Sequence, residues 1–229
     1  MSMVARLGQP TGAYLAILDA RGELVSAVNA MGIVDAIDVS QLELHRSRLS
    51  AAEFLVADCN LREDCLAWII ALAERHSIRL VIDPVSVAKS AKLLAAARRH
   101  AVFAITPNRQ QMTAMSGIEG PSDAAQELNR MGFGAVIAHL GREGVLVSRP
   151  GEPQQRLPSY AAVDIADVTG AGDAAVAGLV FGLHQGYGFG DAARIGQAAA
   201  AIKLSSLKSV AELVCRDRVL SMAGLKRVP

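Results

Sequence analysis

Residues 167–173 read DVTGAGD and run directly into AAVAGLVFGL. Two aspartates bracket a stretch of small residues, and an almost wholly apolar run follows. That run predicts a buried helix over about 171–185. The first turn of a helix leaves N–H groups unpaired and carries the positive end of the dipole. Glycine lets a backbone approach an anion closely. Gly170, Ala171 and Gly172 therefore make a cradle for a phosphate, or for charge that develops in a transition state. Asp173 has two readings. A carboxylate in the first helical turn complements the dipole. A carboxylate beside an anion hole is also a general base, which takes a proton from a hydroxyl while the hole holds the transferring phosphoryl group.

The same letters, GAGDAA, fit the G-x-G-x-x-A dinucleotide fingerprint. That fingerprint opens a βαβ unit after its first strand and needs an acid about 20 residues on, at the end of the next strand. Here the motif lies late in the chain and leads into consecutive helices. Asp191 has nearly the right spacing but stands in GFGDAARIG, which reads as a helix start. Nicotinamide chemistry is therefore disfavoured.

The elements around the motif are strands alternating with helices. EFLVAD (53–58), IRLVIDP (78–84), AVFAITPN (101–108) and GAVIAHLG (134–141) are apolar throughout, as expected for strands covered on both faces. REDCLAWIIALAERHS has helical spacing, with Leu66, Ile69, Ile70 and Ala73 on one face. Parallel strands with crossover helices give an α/β fold: a three-layer α/β/α sandwich around a mostly parallel, doubly wound sheet. GVLVSR (144–149) and AAVDIA (161–166) read as strands that turn back near one edge, and helices over about 171–185 and 190–204 follow. Ahead of this body, AYLAILDARGELVSAVN (13–29) reads as a hairpin around an Asp-Ala-Arg-Gly turn. The texture changes near residue 35, where the hairpin segment (1–34) gives way to an α/β body (35–229). A two-stranded hairpin is marginal alone and pairs readily with another chain, so a homodimer through the hairpin is expected.

In an open α/β sheet the ligand crevice lies beyond the carboxyl ends of the strands. Asp58, Asn60, Asp83, Asn108, His139 and Gly141 sit at those ends. Ordinary turn and capping chemistry is the other source of Asp and Asn at such places.

These stretches together resemble the ribokinase-like (PfkB) carbohydrate kinases. DVTGAGDAAVAGLVFGL is similar to the family's Asp-Thr-x-Gly-Ala-Gly-Asp signature and apolar helix. TPNRQQ (106–111) resembles its Pro-Asn-x-x-Glu segment, and HLGREGVLV (139–147) its Thr-x-Gly-x-x-Gly nucleotide strand and turn. The hairpin resembles the lid that covers the sugar, which implies a partial β lid over 1–34 and a ribokinase-like α/β nucleotide-binding domain over 35–229. GQPTGAYLAILDARGELVSAVNAM, VADCNL and DPVSVAK look most like the pseudouridine kinase branch.

The resemblance implies ATP and Mg2+ as cofactors and a sugar or nucleoside as substrate, pseudouridine being favoured. Asp173 would be the base, and the Gly170, Ala171 and Gly172 amides the anion hole for the γ-phosphate. Asn108 and Gln111 would lie near the nucleotide phosphates and the magnesium's water shell. His139, Gly141, Gly144 and Thr169 would border the ATP site. Asn60, Asp83 and Lys89 would serve the substrate side, although Lys89 also reads as a solvated helix residue. No residue is assigned as a direct metal ligand.

Three residues depart from the family pattern: Gln111 stands for Glu, Val168 for Thr, and His139 for Thr or Ser. The family's early βαβ region, with its sugar-gripping Asp and Gly-Gly loop, finds no counterpart before residue 12. The expectation is a truncated, fragmentary or degenerate relative with impaired transfer, or a non-catalytic nucleotide-binding remnant working as a partner subunit.

Composition bounds the alternatives. Of 229 residues, 52% are hydrophobic and 20% charged, enough for a substantial core and against disorder. The net charge of +1 gives no electrostatic case for nucleic acid or an acidic membrane surface. The three cysteines match no zinc spacing, and their odd number fits a reduced, cytoplasmic protein. No stretch reaches the ~18 apolar residues of a membrane helix, and MSMVARLGQP lacks an apolar signal core.

Overall fold

The computed structural model describes residues 8, 10–19, 24–98, 100–160 and 165–227. An antiparallel hairpin comes first, β1 (Ala13–Leu18) and β2 (Leu24–Ala30), with Ala13 opposite Ala30. Its expected turn residues, 20–22, lie outside the described ones. Tyr14, Leu15, Ile17, Val25 and Val28 all stand exposed on it. A 3-10 turn (Gly32–Ala36) and two short helices, α1 (Val39–Glu43) and α2 (Arg46–Ser50), lead into the body.

Six strands then form one sheet in chain order: β3 (Phe54–Asp58), β4 (Arg79–Asp83), β5 (Ala104–Ile105), β6 (Val136–His139), β7 (Val145–Ser148) and β8 (Gln155–Leu157). The first four run parallel, and the last two turn back as an antiparallel edge. α3 (Glu63–Arg75), α4 (Val87–Ala97), α5 (Arg109–Ser116) and α6 (Pro121–Arg130) make the crossovers. α7 (Ala171–His184), α8 (Phe189–Leu204) and α9 (Arg216–Ala223) close the chain.

The apolar strands have this character because alternate side chains enter different layers. In β4, Leu80 and Ile82 join the core built with Leu66 and Ile70 of α3 and Leu93 of α4, whereas Val81 joins Val176 and Leu179 of α7. β6 repeats the pattern, with Val136 and Ala138 on the first side and Ile137 on the second. Two cores on opposite faces of one sheet make the expected three-layer architecture.

The strand expected at 161–166 is corrected. Residues 161–164 lie outside the described ones, Ile165 and Ala166 form no strand, and β8 pairs with β7 instead, Leu157 opposite Val145. The chain reverses directly after β7 at Pro150-Gly151, where Gly151 takes φ +76°. β8 is polar because it is an exposed edge, and so it lacks the apolar signature of its neighbours.

α7 and α8 meet backbone to backbone. A Cβ added to Gly178 would stand 2.8 Å from the Gly196 Cα, and one on Gly196 2.6 Å from the Ala175 carbonyl oxygen. Small residues at this crossing hold the first turn of α7 over the carboxyl ends of the strands.

Candidate active site

The ends of β4, β5 and β6 open with the start of α7 onto a cleft of about 940 Å³. Asp83, Asn108, Gln111, His139, Gly141, Gly144, Ala171 and Gly172 line it, so eight of the expected site residues share one cavity.

At its centre is the start of α7. Gly170 is the N-cap in the left-handed region (φ +83°), and no side chain caps the helix. The Ala174 amide already bonds the Gly170 carbonyl (3.0 Å), and the Ala171 amide bonds back to Val168 (3.2 Å). The Gly172 and Asp173 amides are the helix-start donors that remain for an anion. Thus Ala171 contributes less to an anion hole than the motif alone implies. A Cβ on Gly172 would meet nothing within 4 Å, so its approach to the cleft is open. Asp173 follows, exposed in the first helical turn. Gly170, Thr169 and Asp173 stand beside the cleft wall rather than in it.

Asp83 ends β4. It accepts bonds from the Val85 amide (2.7 Å) and the Thr106 hydroxyl (3.1 Å). Burial pushes its carboxyl above the usual range, and the negative charges of Asp173 and Asp58 push the same way against those two donors. Val85, on the wall, is a β-branched residue at φ +64°, an outlier held by this Asp83 turn.

Asn108 caps α5. Its side chain accepts from the Gln111 amide (2.9 Å), and the Gln111 side chain accepts from the Asn108 amide (2.8 Å). Gln111 is buried, and its carboxamide oxygen is engaged in this capping box. Asn-x-x-Gln is itself a capping-box spacing, a signal present in NRQQ. Glutamate at Gln111 preserves the cap and adds a negative charge to the wall. Gln111→Glu is therefore expected to tighten the magnesium-dependent part of ATP binding, measured by calorimetry with and without the metal. No gain would show that this side chain does not act on the metal.

His139 is pinned by a parallel bridge to Asn108 and by its amide bond to Pro107 (2.8 Å). Burial pushes its pKa down to about 4, and Nε2 is buried without a hydrogen-bond partner. A neutral ring with an unpaired nitrogen in a cleft wall is ready for a ligand. It also has a thermodynamic consequence. Between about 6.5, where an unfolded histidine takes its proton, and about 4, the unfolded chain binds a proton that the folded ring refuses. Stability must fall as pH drops through that window. His139→Gln is expected to flatten that slope in urea unfolding series at stepped pH, and parallel curves would refute the assignment.

Gly141 (φ +61°) and Gly144 (φ +92°) shape the turn after β6. A Cβ on Gly144 would lie 2.0 Å from the Leu157 carbonyl oxygen, so this position admits no side chain. Asn60 and Lys89 are not brought to the same wall. Lys89 Nζ donates to Asn60 Oδ1, and Asn60 donates in turn to Asp58 at 2.8 and 2.9 Å. The sequence reading passed over Thr106, Val85, Ser159, Tyr160 and Gln197, which also line the cleft.

The residues fit a nucleotide. The uncapped helix start, open at Gly172, suits a terminal phosphate, and the orphaned His139 Nε2 suits a polar group of the ligand. Magnesium fits as an ion carried by phosphates and water. Among the described residues no group of three His, Cys, Asp or Glu could hold a metal unaided, and Asp83 is the carboxylate on the wall.

Comparison with known proteins identifies the family. The chain is 33% identical over 204 residues to pseudouridine kinase of Escherichia coli (strain K12), across 86% of this chain and 63% of that protein. It is 29% identical over 183 residues to ribokinase of Haemophilus influenzae, across 76% of this chain and 58% of that one. The chain thus spans about three fifths of the length of these curated relatives. Among solved structures, a carbohydrate kinase from Agrobacterium tumefaciens superposes with a TM-score of 0.78 at 29% identity, over 96% of this chain and 70% of that one. An Arabidopsis thaliana ribokinase complexed with ribose and ATP shares the fold, with a TM-score of 0.73 at 18% identity over 96% of this chain and 71% of that one. The family profile described as pfkB family carbohydrate kinase matches residues 1–213, and the chain belongs to that family.

Proposed function

We propose that the chain acts as a small-molecule kinase, moving the γ-phosphoryl group of ATP to a hydroxyl of a sugar or nucleoside, with pseudouridine the first acceptor to test. The observation that carries this reading is the uncapped start of α7, open to the cleft at Gly172, with the Asp173 carboxylate next in sequence and Asp83 on the wall of the same cleft. The Gly172 and Asp173 amides receive the charge on the transferring phosphoryl oxygens. Asp173 takes the proton of the acceptor hydroxyl, whose oxygen attacks phosphorus as the bond to the ADP oxygen breaks. Asp83 and its Thr106 and Val85 partners present a second carboxylate to orient the acceptor. Magnesium, when bound, would neutralise charge on the phosphates, and Asp83, with Asn108 and Gln111 of the capping box, would face its water shell.

The identity to a pseudouridine kinase supports the acceptor. The test is ADP release from ATP-Mg with pseudouridine, uridine and ribose. Transfer to pseudouridine above the others supports the proposal, and failure to bind ATP at all overturns it. ATP binding without transfer to any acceptor would favour the second reading, a nucleotide-binding partner subunit, to which the neutral Gln111 amide in its cap also points. The exposed Tyr14, Leu15, Ile17, Val25 and Val28 of the hairpin support a homodimer through the lid. Light scattering is expected to give twice the chain mass, and a monomer at high concentration would remove it.

A further inference from the structure

Lys203, in the last turn of α8, has no solvent exposure. A buried ammonium needs compensation, because removing it from water is costly. The compensation is three oxygens: the Asp167 carbonyl at 2.8 Å, the Ser206 carbonyl at 3.2 Å and the Asp167 carboxylate at 3.5 Å. All three belong to the two segments that meet under the start of α7.

Asp167 carries the connection onward. Its other carboxylate oxygen accepts from the Thr169 amide at 2.9 Å. That bond first, and the Lys203 ammonium after it, hold the Asp167 carboxyl below the usual range. The Ala166 amide bonds the Leu204 carbonyl (2.8 Å), which lays the same turn on the end of α8. The 206–209 segment then closes against Gly170, where an added Cβ would stand 2.6 Å from the Ser209 carbonyl oxygen. Lys203 thus sits where 166–170 and 205–209 are joined, one turn of chain behind the Gly172 and Asp173 amides.

We propose that Lys203 is a positioning residue: its buried ammonium fixes the Asp167–Gly170 turn and so aims the helix-start amides of α7 at the terminal phosphate. The inference rests on the cradle reading given above. It implies that Lys203 touches no ligand yet controls recognition of the group that distinguishes ATP from ADP. Losing its charge misaims the cradle while the nucleoside half of the cleft remains formed.

The test is calorimetry of the whole chain with ADP-Mg and with a non-hydrolysable ATP analogue, also with magnesium. Wild type is expected to prefer the analogue. Lys203→Met, close in length and uncharged, is expected to lose about ten- to a hundredfold of that preference, the scale of a small misplacement, while ADP affinity stays within about threefold. In Lys203→Ala, added n-propylammonium should restore part of the preference by refilling the charged position. If Lys203→Met does not fold, Asp167→Asn takes its place, since it weakens the same joint and leaves the ammonium with its two carbonyl partners. A wild type without preference overturns the cradle and this inference together. A wild type with preference, matched by Lys203→Met or by Asp167→Asn, overturns the role of Lys203 and leaves the cradle standing. Equal losses for ADP and the analogue would show a purely structural residue and also overturn it.

Discussion

Asp173→Asn is expected to leave ATP binding nearly intact and to lower phosphoryl transfer by about two to four orders of magnitude. Asparagine keeps the size of the side chain and its place in the first turn of α7. It loses the ability to take a proton. Loss of the dipole complement costs about 0.3–1 kcal/mol of stability at most, too little to explain a collapse of turnover. Asp83 is the competing base, because it is a half-buried carboxylate whose affinity for a proton is already raised. Its oxygens, however, are engaged by the Val85 amide and the Thr106 hydroxyl, whereas Asp173 is exposed beside the cleft. The check is a paired nucleotide titration and turnover assay on wild type, Asp173→Asn and Asp83→Asn, with an acceptor that gives wild-type turnover. Asp83→Asn is expected to act mainly on acceptor KM. Wild-type turnover in Asp173→Asn would remove it from the chemistry.

The sheet was legible because its strands are buried on both faces. Runs such as IRLVIDP carry no polar alternation, and the reason is visible in β4, where Val81 and its neighbours Leu80 and Ile82 enter opposite cores. β8 was not legible for the opposite reason: Gln155 and Arg156 lie exposed on an edge and spell no strand. Part of the cleft lining followed from one rule, that ligands sit beyond strand ends: of the residues it names, Asp83, Asn108, His139 and Gly141 line the cleft, whereas Asp58 and Asn60 do not. What the rule cannot supply is which polar groups are already spent. Gln111 is committed to its cap, and Asn60 and Lys89 to each other. Lys203 was invisible for a related reason. A lysine at the end of an Ala-rich helix reads as a solvated, dipole-matching residue, and only the loop folded over it takes it out of water.

The two glycines of the cradle are expected to respond to the same substitution in opposite ways. Gly170 is at φ +83°, where an alanine costs about 1–2 kcal/mol. Its Cβ would also press on the Ser209 carbonyl oxygen at 2.6 Å, a backbone atom that cannot swing aside as a side-chain end does. Gly170→Ala should therefore lose about 2–4 kcal/mol in all, the range of strained core changes. At about 2–4 °C per kcal/mol for a chain of this size, the melting point falls by roughly 4–16 °C. Gly172 is inside the helix with nothing within 4 Å of a new Cβ. There alanine restricts the unfolded chain and suits the helix, so stability should hold or rise by up to about 0.5–1 kcal/mol. The same methyl enters the space through which a phosphate reaches the Gly172 and Asp173 amides. ATP affinity should fall about tenfold or more, as the loss of one charge-assisted hydrogen bond of about 1.5–3 kcal/mol requires, while adenosine binding is untouched. Thermal unfolding and titration with ATP and adenosine separate the two effects. If Gly172→Ala binds ATP as tightly as wild type, the start of α7 is not where the terminal phosphate sits.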